Sequence, residues 1–539
     1  MRMHPLDNLV LGDALAAQAK THRDEPFLKF RDGENTYGEV DQTADRVAQG
    51  LLANGMKKGD HVALMMSNSA EFLYAVFALA RLGAVAVPIN TAYRGTLLRH
   101  VLDNSEATVL IVDSDLMDRI TLKHHESSHL RLVVVNTDDP ITSDFLGLRT
   151  IRYSSLLDHG GERPETKVLF SDLQAIMYTS GTTGPSKGAM VPHSLALTCA
   201  ADSVRFVSRG SSTIYSPLPL FHAAGLWDGM MAALITGTSI AIVDRFSASR
   251  FWEDVRHFGA GTVMGVFSMI PILLNQPRQP DDLANPLKTF YMGKSSLDED
   301  FMARFGAHTV ETYTSTEIGI GTASPYGAWR IGSMGQANED RFEVAVVDEH
   351  DRPLGPGDPG ELVVRPHQPD VITRGYLGRD DATAETFRNL WFHTGDRAYV
   401  DDDGYYYFLD RMDDSIRRSG ENISAFDLES GLNLHPGVLE SAAIAVPSDL
   451  EEDEVKIVVV GKPGANLDEE ELIGYCDENL PDFMVPRYVE LVDSLPRTPT
   501  DKVAKHKLRE MGEEGLTATT WDRVESQTPD TGVKQRRIG

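Results

Sequence analysis

The sequence predicts an α/β protein of more than one domain, and three observations predict it. The chain has 539 residues, more than one hydrophobic core organises. From Leu51 onward, short apolar runs of strand length alternate with amphipathic runs of helix length. Near Ile331 that rhythm gives way to alternating strands joined by Gly, Pro and Asp.

The elements follow in order. After a turn at Lys58-Gly59-Asp60 come a strand HVALMM, a helix EFLYAVFALARLG and a strand AVAVPIN. ATVLIVDSD and LRLVVVNTD are further apolar runs ending in Asp, as parallel strands often do. The alternation resumes with SLALTCAADSVRFV (helix), TIYSPLPL (strand), MMAALITG (helix), TSIAIVD (strand) and SRFWEDVRHFG (helix). This βα repetition predicts helices on both faces of largely parallel sheets. EVAVVDEHDRPLGPGDPGELVVRP and WFHTGDRAYVDDDGYYYF then predict antiparallel sheet or a partial barrel. Beyond Leu409-Asp410-Arg411 the pattern predicts a separate small α+β domain. It begins with an ααβ-like unit (FDLESGLNLHP, LESAAIAVPSD, EVKIVVVGKPG), followed by a helix DEEELIGYCDENL and a strand YVELVDSL. From Gly515 to Gly539 there is no periodicity, and an extended tail is expected.

Composition narrows the function. A net charge of −29 disfavours a nucleic-acid partner, whose phosphates need basic surface. The two cysteines, Cys199 and Cys476, make neither a disulfide framework nor a metal spacing, which fits a reducing cytoplasm. Asp7, Asn8 and Asp13 interrupt the apolar residues at the N-terminus, unlike a signal peptide. The longest apolar stretch, Gly229 to Val243, is too short for a membrane span and reads as a buried helix followed by a buried strand.

The stretch YTSGTTGPSKGAMVPH, Tyr178 to His193, concentrates hydroxyls, glycines and one lysine after the apolar strand AIMYT. It suits phosphate, yet it fails the Walker pattern. Ser186 precedes Lys187 where glycine is needed, and Gly188 follows where Ser or Thr would hold Mg²⁺. A metal must be held from elsewhere.

Further pieces follow in a set order: PLFHAAG (Pro219–Gly225), ETYTSTEIG (Glu311–Gly319), WFHTGD (Trp391–Asp396), LDRMDDSIRRSGEN (Leu409–Asn422) and LPRTPTDKVAK (Leu495–Lys505). With them the chain, from about Asp13 to about Glu510, resembles the acyl-adenylate-forming (AMP-binding) superfamily. The resemblance implies a large N-terminal domain of two αβ subdomains plus a distorted β-barrel, residues 1–411. It also implies a small mobile α+β lid, residues 412–514, ahead of the 515–539 tail.

The chemistry so implied joins a carboxylate to AMP and expels pyrophosphate. Two anions must meet, so cations and oriented N–H donors must offset their repulsion. By resemblance, Thr179, Ser180, Gly181, Thr182, Thr183, Gly184, Ser186 and Lys187 hold the β and γ phosphates. Glu317 is the Mg²⁺ ligand, a hard oxygen donor replacing the missing Walker hydroxyl. Thr316 contacts phosphate and Tyr313 stacks on adenine; Asp396 accepts the ribose hydroxyls and Arg411 makes a second ribose or phosphate contact. Lys502 is the catalytic lysine bridging carboxylate and α-phosphate, and Asp413 is the hinge. The family more often has glycine where this chain has Thr314 and Asp501.

The acid pocket is expected to involve His222, Trp227, Asp228, Phe267, Lys294, Ser315 and Gly319. Trp227 and Asp228 together suit a quaternary ammonium, although a core tryptophan beside a helix-capping aspartate fits the same letters. Lys294 lies in MGKSS where relatives often carry GGAPL, and would face a second polar group of the acid or solvent. RRSGENIS and the following ES-x₄-HPGV are most like the crotonobetaine/carnitine-CoA ligase-type branch. There Gly420, Glu421 and Asn422 would line the path of the CoA thiol arm, glycine permitting close passage. The implied activity is an ATP- and Mg²⁺-dependent carboxylic acid:CoA ligase, cytoplasmic, with a homodimer as the expected assembly. The alternatives are transfer of the acyl group to a carrier protein or amine, and a non-catalytic nucleotide-binding relative.

Overall fold

The computed structural model describes residues 9–120, 129–142, 144–179, 185–207, 213–267, 269–292, 295–411, 415–448, 452–465, 467–497 and 503–527. The chain separates into two compact units. One comprises residues 1–93, 97–179 and 187–412; the other comprises 94–96, 180–186 and 413–539.

The larger unit carries three sheets. In the first, the parallel strands His308–Val310, Thr289–Tyr291, Ala260–Met264, Thr213–Ser216, Ile240–Ile242 and Pro26–Phe30 lie side by side, with Gly33–Thr36 antiparallel at one edge. In the second, His61–Met65 lies between Val85–Pro88 and Val109–Asp113, all parallel. The strands of this second sheet read in sequence as near-continuous apolar runs because both of its faces are covered. Helix Ala70–Leu82 shows why: Phe72 through Leu82 are all buried, so this helix is covered on every side, with Arg81 the one charged residue in that span. Ser69 Oγ caps its first turn by accepting from Phe72 N, and Gly83 ends it in the left-handed conformation at φ +62°.

The third sheet is antiparallel, in the order Thr312–Ser315, Gly319–Ala323, Gly335–Ala337, Tyr405–Arg411, Trp391–Val400, Gly360–Pro366, Phe342–Val347. Laid flat, the first and fifth of these strands would lie about 19 Å apart. Yet the Tyr313 hydroxyl, on the first strand, donates to Asp396 Oδ2, on the fifth, at 2.6 Å. The sheet therefore curls over a core that includes Tyr313, Ile318, Phe342, Leu362, Phe392 and Tyr406. This is the distorted barrel expected from the sequence.

The smaller unit holds a two-stranded hairpin, Ser415–Arg418 with Glu421–Ser424, and a sheet of Val438–Pro447, Asp453–Gly461, Tyr488–Leu491 and Trp521–Asp522. Two sequence expectations need correction here. LESAAIAVPSD is not the second helix of an ααβ unit but a strand, paired antiparallel from Val438↔Gly461 to Pro447↔Asp453. Its Leu, Glu and Ala residues favour helix, and the ladder with the Val-rich neighbour overrides that preference. The residues after Gly515 are not simply an extended tail either. Trp521–Asp522 pairs with the strand Tyr488–Leu491, and Gly515 O accepts from the buried Lys456 ammonium at 2.6 Å. Lys456 also meets Glu490 Oε2 at 2.5 Å, so the segment supplies an acceptor that a buried cation requires. Residues 528–539 lie outside the described part.

Candidate active site

The phosphate-loop candidate begins where the buried strand Leu173–Thr179 turns back into Lys187–Pro192. The two pair antiparallel from Thr179↔Lys187, so the ends of the loop face each other across the ladder. Thr179 Oγ1 donates to Glu317 Oε1 at 3.2 Å, and the Tyr376 hydroxyl donates to the same oxygen at 3.1 Å. Lys187 Nζ stands 5.0 Å from the centroid of the Tyr376 ring. Glu317 itself sits in the turn between Thr312–Ser315 and Gly319–Ala323, anchored where Thr373 N donates to its carbonyl at 2.6 Å. Thr316 is half-buried beside it. Glu317 Oε2 takes no hydrogen bond among the described residues, and none of those residues forms a group of three or more metal-ligating side chains. One free hard oxygen beside a phosphate loop fits Mg²⁺, which keeps several waters and is held largely by substrate phosphates.

Asp396 is buried, and its carboxylate is aimed by Tyr313. Gly395, at φ +71°, turns the chain before it, and Thr394 Oγ1 accepts from Asp396 N at 3.1 Å. Glu361 fixes the same turn: Gly395 N donates to its Oε1 at 3.1 Å, and the His393 ring meets its Oε2 at 2.9 Å. Arg411 pairs with Asp396 across the ladder, while its side chain lies outside the described part.

On the acid side, His222 and Phe267 are half-buried. A π-helix, Ala224–Met231, follows His222, a wide helical register frequent at functional sites. It carries Trp227, wholly buried with no acceptor for its Nε1 among the described residues, and Asp228, which is 2% exposed. Asp228 faces helix His193–Val207: its Oδ1 accepts from Ser203 Oγ and from Cys199 Sγ, the latter at 3.3 Å. Burial pushes its carboxyl up to about 7, and the two hydrogen bonds pull the other way. Cys199 in turn packs beneath Gly319, where a Cβ would come within 3.1 Å of its own and the backbone holds φ +66°. Ser315 pairs with Gly319 across the turn that holds Glu317.

Among the sequence candidates, Thr179, Lys187, Tyr313, Ser315, Thr316, Glu317 and Asp396 are thus joined through one turn and one curled sheet. Gly420 and Glu421 belong to the smaller unit, at the turn of its hairpin, with Gly420 at φ +81°. Ser180, Gly181, Thr182, Thr183, Gly184, Lys294, Asp413 and Lys502 lie outside the described residues, as does the side chain of Asn422. Sequence reasoning missed Tyr376, Glu361, Cys199 and Ser203. Only Glu361 carried a signal, a carboxylate at the start of the strand GELVVRP, where an apolar residue would otherwise be expected.

Most of the chain also matches known proteins. A model described as AMP-binding enzyme matches residues 15–377, and one described as AMP-binding enzyme C-terminal domain matches residues 427–502. The crotonobetaine/carnitine–CoA ligase of Citrobacter koseri is 30% identical over 510 residues, 91% of this chain and 97% of that protein. The o-succinylbenzoate CoA synthetase of Bacillus subtilis, solved with a product analogue, superposes with a TM-score of 0.79 at 25% identity, covering 92% of this chain and 98% of that one. ATP-bound MatB from Rhodopseudomonas palustris gives 0.65 at 28% identity, covering 93% and 98%. The chain belongs to the AMP-binding enzyme family and, within it, to the acyl-adenylate-forming CoA ligases.

Proposed function

We propose that this ligase activates a small carboxylic acid with ATP and Mg²⁺ and passes it to CoA in two half-reactions that use different residues. The observation that supports the reading is the convergence of Thr179 and Tyr376 on Glu317, together with the Tyr313 hydroxyl on Asp396. One end of ATP then meets Thr179 and Lys187, and the other meets Tyr313 and Asp396.

In the first half-reaction, Thr179, Lys187 and the loop between them hold the pyrophosphate, and Lys187 offsets its charge. Glu317 Oε2 would hold Mg²⁺, whose chemistry here is to neutralise the leaving pyrophosphate. Asp396 accepts both ribose hydroxyls, which fixes the α-phosphorus in line with the acid. By the family resemblance, Lys502 would bridge the acid carboxylate and the α-phosphate, stabilising charge as the acid oxygen bonds to phosphorus and pyrophosphate departs. In the second, the chain turns at Asp413, and the Gly420 turn lines the approach of CoA. The thiol sulfur bonds to the adenylate carbonyl, the thiol proton is lost to solvent, and AMP leaves.

The pocket for the acid is assigned in this reading to His222, Phe267, Ser315 and Gly319, with Trp227, Asp228 and Lys294 as further candidates. Two free buried thiols, Cys199 and Cys476, support a reducing cytoplasm as the location, and no helix among the described residues is long and apolar enough to cross a membrane. The homodimer is tested by light scattering of the purified chain.

The half-reactions separate in one variant. Lys502→Ala is expected to lose acid-dependent pyrophosphate release while still forming thioester from supplied acyl-AMP and CoA. Equal loss of both steps contradicts the assignment.

A further inference from the structure

In the smaller unit, three consecutive acidic residues grip the hairpin that carries Gly420. Gly420 N donates to Glu452 Oε2 at 3.0 Å, and Arg417 N donates to Asp453 Oδ2 at 2.9 Å. The Arg418 guanidinium pairs with Glu454 Oε2 at 3.0 Å, and its Nη1 donates to Val485 O at 2.6 Å. The hairpin has only two strands, Ser415–Arg418 and Glu421–Ser424, and pairs in no larger sheet. A two-stranded hairpin is marginal by itself, so its shape is set by what holds it from outside.

The turn is tight. Ser419 at φ +53° and Gly420 at φ +81° are its two central residues, both left-handed, as a two-residue hairpin of this twist requires. Glu452 reaches its second central residue. Glu452 is 8% exposed, and its carboxylate meets the N–H of half-buried Gly420 in a charge-assisted bond.

We infer that Glu452 is a positioning residue for the thioester-forming step: it fixes the turn that presents Gly420 and does not itself touch the reacting atoms. The inference rests on the reading of Gly420 as the lining of the thiol path. If that reading holds, Glu452 matters in one half-reaction and is idle in the other. Removing a charge-assisted hydrogen bond corresponds to about a ten- to hundredfold effect.

The test uses the full-length enzyme and an acid chosen as the fastest in pyrophosphate release from a panel of betaines, short unsaturated acids and aromatic acids. Adenylation is followed by acid-dependent pyrophosphate–ATP exchange, and thioester formation by mixing the matching acyl-AMP with CoA. Glu452→Ala is expected to slow thioester formation about ten- to hundredfold with exchange unchanged within about twofold. Glu452→Gln, which keeps an acceptor oxygen, should recover most of the rate. Glu452→Asp keeps the charge but withdraws the acceptor by one methylene, and should fall between; it also serves if the alanine variant does not fold. Equal losses in both half-reactions would mean a merely structural role and overturn the inference. So would an unimpaired thioester step in Glu452→Ala and Glu452→Asp while Gly420→Ala abolishes it, which leaves the reading of Gly420 standing. If Gly420→Ala forms thioester normally, that reading falls and the inference falls with it.

Discussion

The Tyr313 hydroxyl and the Asp396 carboxylate lie 2.6 Å apart although 83 residues separate them in sequence. That single bond both marks the closure of the curled sheet and aims the carboxylate proposed to hold the ribose. Tyr313→Phe keeps the ring and removes only the donor. Losing a donor to a buried carboxylate costs about 1–3 kcal/mol, so KM for ATP should rise at least about fivefold with little change in KM for the acid. A shift confined to the acid would contradict the assignment.

Glu317→Gln keeps an oxygen for Thr179 and Tyr376 and removes the charge. The Mg²⁺ concentration for half-maximal rate should rise about tenfold or more, with thermal stability held near wild type. Chelation of divalent ions should abolish pyrophosphate release from the wild-type enzyme. An unchanged Mg²⁺ titration in the variant would remove Glu317 as the ligand.

Asp228 should make stability depend on pH. Its carboxyl rises from an ordinary 3.8 to about 7 through burial. The folded protein therefore binds a proton more tightly than the unfolded chain. This contribution is fully present below about 3.8 and is lost as pH climbs from there to about 7. Urea unfolding at pH 5 and pH 8 measures it: Asp228→Asn should show a smaller fall between the two than wild type. Identical falls would mean the group is ionised at both values.

Arg81 is buried on helix Ala70–Leu82, where its guanidinium bonds Asp41 and also meets Asp45 Oδ1 at 2.6 Å. Removing one member of such a group strands the others in the core. Arg81→Leu should cost about 3 kcal/mol in urea unfolding, softened because Arg163 also reaches Asp41 at 2.8 Å. Since Arg81 is remote from Glu317 in sequence and bonds none of the site residues, KM for ATP should hold. A stability loss below about 0.5 kcal/mol would show the cluster to be dispensable.

Much of this was legible in the letters. Parallel strands such as His61–Met65 announce themselves because both faces are buried, and Glu317, Tyr313 and Asp396 stand in short motifs of fixed order. The contacts between motifs were not legible. Tyr376 reaches Glu317 only because Gly375, at φ +106°, turns the chain there, and nothing local to either residue says so. By its letters Asp228 suits a substrate cation, and only the fold brings Ser203 and Cys199 of helix His193–Val207 against it. The strand Val438–Pro447 was misread for the same reason, since its partner lies beyond the local window.

The most direct test of the account is pyrophosphate release across a carboxylic-acid panel, each acid assayed with and without CoA and with AMP quantified. Continuous turnover that requires both one class of acid and CoA is expected, with AMP and pyrophosphate formed in equal amounts. A single burst of pyrophosphate indifferent to CoA would contradict CoA as the acceptor, and ATP binding with no pyrophosphate from any acid would contradict catalysis itself.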